Sequence, residues 1–158
     1  RLENLSLANC SLIFISDAIS NHRQLKQLDI SGNRLTCLPF SMMEMSNLKS
    51  INLSNNYLHD LNWIVSYWWG LKKIDISGNP DLIVSDVLSC LSYFEQLDEI
   101  VVSEVNFFPK EFAILNVHRL VIKNTMIESF PRSDLSRPIN QIVFDNCHFK
   151  NPNQLVRH

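Results

Sequence analysis

The chain has 158 residues, 46% of them hydrophobic and 19% charged, with a formal net charge of −2. That is the size of one domain or of one run of short repeats, with enough apolar residues to bury a core and without the basic excess of a nucleic-acid binder. The three glycines exclude a glycine-rich phosphate loop, the four scattered cysteines form no CxxC pair, and no apolar run is long enough to predict a membrane span.

One pattern recurs along the chain. It reads LENLSLANCSL from Leu2, LKQLDISGNRL from Leu25, LKSINLSNNYL from Leu48 and LKKIDISGNPDL from Leu71. Looser copies follow: LDEIVVSEVNF from Leu97, VHRLVIKNTMI from Val117 and INQIVFDNCHF from Ile139. The starts at 2, 25, 48, 71, 97, 117 and 139 are spaced by 23, 23, 23, 26, 20 and 22 residues. Equal periods carrying the same pattern mark a repeat architecture. Within each copy the alternation of apolar and polar residues predicts a short strand, centred near Leu5, Leu28, Ile51, Ile74, Ile100, Leu120 and Ile142. The dozen residues that follow suffice for a right-handed crossover to a parallel neighbour.

The pattern L-x-x-L-x-L-x-x-N/C-x-L resembles the leucine-rich repeat family over nearly the whole chain. The second repeat and its LTCLPFSMMEMSNL connection resemble the 23-residue intracellular class found in Ras-suppressor-type scaffold proteins. The resemblance implies a right-handed α/β solenoid with one curved parallel sheet of about seven repeats. It also implies protein–protein recognition on the concave sheet face, without chemistry of its own. Residues 1–158 read as a single such domain and as a piece of a longer protein, whose flanking segments are expected to cap both ends of the stack.

The ninth position of each copy carries Cys10, Asn33, Asn56, Asn79, Val105, Thr125 and Cys147. It is expected to point inward at the bend after the strand, where a buried amide needs backbone partners; these are expected from the following repeat. Val105 cannot join such a ladder, so a less regular bend is predicted from the fifth repeat onward. Among the returns, Ser85 to Leu97 has apolar residues at helical spacing after a Ser-Asp pair and predicts a helix. FPKEF and FPRSDL, around Pro109 and Pro131, predict extended or one-turn segments, and Pro138 and Pro152 interrupt the late repeats.

No catalytic constellation, cofactor motif or metal set is found. The five histidines fall on different repeats, and the adjacent Cys147 and His148 lack a second pair to complete a zinc site. The sequons at Asn4, Asn9 and Asn52 are part of the strand pattern and match chance frequency. The thiols fit a reduced, intracellular compartment, cytoplasmic or nuclear.

The outward strand positions carry more information. Read across the repeats, the central one is Ser6, Asp29, Asn52, Asp75, Val101, Val121 and Val143. The last three form an apolar strip, expected on the concave face, with Asp98, Glu99 and Glu104 on one side and Arg119 and Lys123 on the other. Such a strip is a partner-binding patch, a surface covered by a flanking segment, or a product of strand propensity alone. A second column holds Lys26, Lys49 and Lys72, with Lys73 beside it, offset by Asp29 and Asp75. In NWIVSYWWG, alignment on repeat two puts Val65 and Trp68 inward, at the positions of Met42 and Met45. Trp63, Tyr67 and Trp69 are then partly exposed on the convex face, either as packing or as a second candidate docking site.

The favoured reading is an intracellular scaffold or signalling regulator that presents its concave sheet to a protein. The alternative is the substrate-receptor subunit of a larger assembly such as a cullin-type ubiquitin ligase. Neither reading calls for nucleic acid, membrane or cofactor.

Overall fold

The structure, a computed structural model, describes residues 2–103, 115–127 and 139–150. Seven strands form one sheet: β1 (Asn4–Ser6), β2 (Gln27–Asp29), β3 (Ser50–Asn52), β4 (Lys73–Asp75), β5 (Leu97–Ser103), β6 (Val117–Lys123) and β8 (Gln141–Asp145), in that spatial order. Every pairing is parallel, and the seven central residues align as Leu5, Leu28, Ile51, Ile74, Ile100, Leu120 and Ile142. The strands and centres expected from the repeats are all present. Past the bends of the last two described repeats, β7 (Met126–Ile127) and β9 (His148–Phe149) pair in a second, small parallel sheet. The first four repeats have no counterpart of it among the described residues.

The returns run along the other side of the sheet. Two short 3-10 helices, η1 (Asp17–Asn21) and η2 (Phe40–Glu44), are followed by two α-helices, α1 (Asn62–Val65) and α2 (Val84–Leu91). Between sheet and returns lies one continuous core: Leu25, Leu28, Ile30 and Leu35 of one repeat meet Leu48, Ile51, Leu53 and Leu58 of the next, closed over by Met42, Met45, Val65, Trp68, Leu88 and Leu91. No repeat buries its leucines alone, so the packing energy is shared between neighbours. Val65 and Trp68 are fully buried, as Met42 and Met45 are, and the Trp68 indole N–H donates to the Met42 carbonyl at 2.9 Å.

The helix expected over Ser85 to Leu97 is shorter. It ends at Leu91, and Ile83 stands at its N-cap with no side-chain cap bond, so the Ser-Asp pair lies inside the first turn. Its end is set by the sheet: Asp98 and Glu99 donate their N–H groups to the Lys72 carbonyl, at 2.7 and 3.0 Å, so the chain must leave the helix early enough to reach that register. The expected segments around Pro109 and Pro131, the breaks at Pro138 and Pro152, and the bend residue Val105 lie outside the described residues.

The bend has a specific hydrogen-bond logic. In repeats two to four a polar side chain stops the ladder: the Asp29 carboxylate accepts from the Ser31 N–H at 3.0 Å, Asn52 from Ser54 at 3.1 Å and Asp75 from Ser77 at 2.9 Å. Each such turn takes an N–H that would otherwise continue the ladder. The preceding strand's last carbonyl is thereby left for the inward asparagine: Leu7 for Asn33 at 2.9 Å, Ile30 for Asn56 at 3.1 Å, Leu53 for Asn79 at 3.1 Å. The same asparagines accept from N–H groups of the preceding repeat, Asn33 from Cys10 and Leu12, Asn56 from Leu35, Asn79 from Leu58. The ladder therefore reaches backward; the sequence expectation that the following repeat supplies the partners is corrected. The reason is geometric: the bend of the earlier repeat exposes the unpaired N–H groups, and the amide that fills them arrives one repeat later. In β5 and β6 the equivalent residue is Val101 or Val121, which cannot accept, and both strands run two residues past it, to a length of seven. At the last bend Cys147 takes the asparagine's place and donates its thiol to the Ile122 carbonyl at 3.2 Å.

Candidate functional site

The parallel register puts Val101, Val121 and Val143 side by side on the sheet face turned away from the core, next to Asp75. Equivalent side chains on adjacent strands stand about 5 Å apart, so the three make one strip. Val101 and Val121 are only 8% and 5% exposed although neither belongs to the core, and Val143 is half-buried. The centre of the strip is thus a closed floor, and Val143 is its accessible end.

The charged rim differs from the expectation. Glu99 and Arg119 are register partners, not residues on opposite sides of the strip, and their side chains form an ion pair. In-register parallel strands bring equivalent positions together, so both lie at the strand-start end of the valines. Lys123 lies at the other end, level with Ser103 and Asp145. Asp98 pairs instead with Lys72 at 3.9 Å, and Glu104 lies outside the described residues. The floor is therefore bounded along the strands by a neutralised Glu99–Arg119 pair at one end and by Lys123 and Asp145 at the other.

The lysine column is also arranged differently. Asp29 and Asp75 form no ion pair with it; one oxygen of each carboxylate accepts from the hydroxyl and N–H of Ser31 or Ser77. The lysines are met at the two ends of their row, Lys26 by Glu3 at 2.9 Å and Lys72 by Asp98. Lys49 and Lys73 have no ion pair among the described residues. Exposed pairs such as these contribute at most about 1 kcal/mol each.

On the return side Trp63 is half-buried and stacks on Phe40 with ring centres 5.6 Å apart, while Trp69 stacks on Phe94 at the same distance. Tyr67 and Trp69 are exposed, as expected. Phe40 and Tyr93, which the sequence reading did not single out, are exposed beside them. The signal was present: Phe40 and Trp63 share one place in successive repeats, and Tyr67 and Tyr93 each stand four residues before the next repeat begins. The two candidate surfaces lie on opposite sides of the core and do not merge.

At the first repeat, Leu7, Leu12, Ile13, Phe14, Ile15 and Ile19 line an apolar groove of about 500 Å³. Among the described residues, no group of three or more His, Cys, Asp or Glu side chains is placed to hold a metal ion, and no helix is long and apolar enough to cross a membrane.

No curated protein matches the chain. Solved structures do. In the TLR13–ssRNA13 complex, the TLR13 chain superposes with a TM-score of 0.78 at 20% identity, over 99% of this chain and 23% of that one. A leucine-rich repeat protein of Leptospira interrogans matches with a TM-score of 0.68 at 19% identity, over 98% of this chain and 46% of that one. Internalin C2 of Listeria monocytogenes gives 0.66 at 16% identity, over 98% of this chain and 76% of that one. This chain thus spans less than half the length of two of these three, and at such identities the likeness is one of fold. A leucine-rich repeat family model matches residues 1–58 and again 23–80, half of the sequence. The chain belongs to the leucine-rich repeat family.

Proposed function

We propose that this chain is an intracellular protein-recognition module, a scaffold or signalling regulator, that takes a protein partner on the open face of the last three strands. The observation that carries the reading is the change in that face. Its central column is polar through Asp75 and becomes the in-register valines Val101, Val121 and Val143. An apolar centre bounded by charge is the usual anatomy of a recognition patch. Val143 and the stems of Arg119 and Lys123 supply the contact, and Glu99 holds Arg119 in place.

A protein suits this face better than RNA. Counterion release needs several cations in a row, and on the outward face of the last three strands the described residues offer Arg119, paired with Glu99, and Lys123. Four free thiols favour a reduced compartment. The apolar groove of the first repeat suits a capping segment. The test is affinity capture with this chain, followed by binding measurements on the captured partner. Val143→Glu is expected to weaken the complex at least tenfold. An unchanged affinity, with the variant folded, would remove the site from the open face.

A further inference from the structure

The return side of repeats two to four combines two features that the open sheet face does not use. Four large rings stand in water there: Phe40 and Trp69 are each 68% exposed, Tyr67 is 50% exposed and Tyr93 is 76% exposed. Two of them are held by other rings. Phe40 rests on Trp63 and Trp69 rests on Phe94, and α1 packs between η2 and α2, so the three returns form one continuous surface. Scattered apolar residues on a surface are ordinary, but rings lined up on adjacent returns are not scattered.

The second feature is charge. The returns over residues 36–47, 59–70 and 83–96 contain Glu44, Asp60, Asp86 and Glu95 and not one lysine or arginine. Two of the chain's cations reach this side from outside the returns: Arg23 pairs with Glu44 at 2.8 Å, and the Lys49 ammonium lies against Gly70; Asp86 and Glu95 have no ion pair among the described residues. Exposed aromatic faces attract guanidinium and ammonium groups, and carboxylates around them strengthen the attraction. An acidic or neutral partner would gain only the ring contacts.

We infer that this return surface is a second docking site, built for a protein segment rich in arginine and lysine whose cations lie over Trp69, Tyr67 and Tyr93 and whose charges face Glu95 and Asp86. It is separate from the open-face reading: the core lies between the two surfaces, so the chain can hold two partners at once.

The test uses a nine-residue peptide of alternating arginine and glycine, with a glutamate–glycine peptide of equal length as control. Binding is followed by tryptophan fluorescence and by calorimetry in 50 mM salt. The arginine peptide is expected to bind saturably and the glutamate peptide not at all. Tyr93→Ala and Trp69→Ala should each weaken binding about two- to fivefold, the range for exposed cation–π contacts. Glu95→Gln should weaken it further, and Val143→Glu should leave it unchanged. Trp69→Ala uncovers Phe94 and risks the fold; Tyr93, with no ring partner among the described residues, keeps the test readable. Equal binding of both peptides would overturn the inference. So would arginine-peptide binding indifferent to Tyr93→Ala, which would be general electrostatics, or sensitive to Val143→Glu, which would place it on the open face. Sedimentation showing a dimer that Tyr93→Ala dissociates would make a second copy the occupant and overturn it too.

Discussion

The amide oxygen of Asn9 lies over the Cα of Gly32, so close that a β-carbon on Gly32 would come within 2.1 Å of it. Both residues occupy the eighth place of their repeats, and both have left-handed backbones, with φ of 56° and 64°. The relation returns two repeats later, where Asn55 (φ 56°) stands over Gly78 (φ 65°). Each described bend has a left-handed residue at this place, and glycine takes it without strain where the preceding asparagine leans over its backbone.

Gly32→Ala should therefore lower stability by about 1–2 kcal/mol, the cost of forcing a β-carbon into the left-handed region. The contact with Asn9 adds little, because the Asn9 side chain is exposed and can turn away. The larger Gly32→Asn should cost less than Gly32→Ala. Asparagine adopts this backbone more readily, and Asn124 and Asn146, the equivalents in the last two described repeats, stand together with a 2.8 Å side-chain hydrogen bond. Urea midpoints of the two variants check the order; alanine milder than asparagine would show that contact, not backbone, rules the bend.

Asn56 is the middle rung of the inward ladder and only 2% exposed. Asn56→Leu removes the acceptor of the Leu35 N–H and the donor to the Ile30, Leu53 and Ser54 carbonyls. The Ile30 and Leu53 carbonyls keep Asn33 and Asn79 as donors and the Ser54 carbonyl keeps the Gly32 N–H, so the Leu35 N–H is the buried group left unpaired, at about 1–3 kcal/mol. Asn33→Leu orphans the Cys10 and Leu12 N–H groups and the Leu7 carbonyl, but Cys10 is exposed and Leu7 and Leu12 are half-buried, so water can replace the lost bonds. The expected order is a larger loss at position 56 than at 33, read as denaturant midpoints; equal losses would argue that solvent reaches both rungs alike.

Trp68→Phe isolates one hydrogen bond between repeats. The phenyl ring keeps most of the packing but cannot donate to the Met42 carbonyl. The carbonyl keeps the Met45 N–H at 3.1 Å, so the loss is one of two hydrogen bonds plus a small cavity, together about 1–2 kcal/mol. Thermal or urea unfolding with tryptophan fluorescence measures it. A loss below about 0.5 kcal/mol would mean that the Met45 N–H alone satisfies the carbonyl and that the indole bond adds nothing.

Much of this was legible in the sequence because the repeat is its own alignment. The centres Leu5 through Ile142, the inward turn of Val65 and Trp68, and the side-by-side valines all follow from period and alternation. What stayed hidden depends on direction across the repeat boundary. The spacing of Asn33, Asn56 and Asn79 says that they stack, but not that each bonds backward. Glu99 and Arg119 share the third place of their repeats as Val101 and Val121 share the fifth, so their pairing was as legible as that of the valines, and setting them on opposite sides of the strip ran against the repeat's own alignment. The early end of α2 is set by the Lys72 carbonyl, which no helical periodicity within Ser85 to Leu97 reveals. The exposure of Phe40 and Tyr93 depends on how the second and fourth returns pack, and a single aromatic in a return reads from sequence as core as easily as surface.

The last prediction separates floor from edge on the open face. Val121 has Val101 and Val143 as register partners, Arg119 and Lys123 precede and follow it on the same face of its strand, and only 5% of its surface is exposed. Glutamate there must either stay in the strip, where a charge is poorly solvated, or climb out between Arg119 and Lys123 and compete with Glu99 for Arg119. Val121→Glu should therefore cost about 1–3 kcal/mol of stability, in the range of point changes that bury unsatisfied polar groups. Val143 is half-buried at the end of the strip, and Val143→Glu should cost less than 1 kcal/mol. If the open face binds a protein, both variants lose affinity while only Val121→Glu loses stability, and restoring stability with a mild osmolyte will not restore binding. If Val121→Glu unfolds no more easily than Val143→Glu, the floor is open to water, and its central valine becomes the main contact in place of the edge.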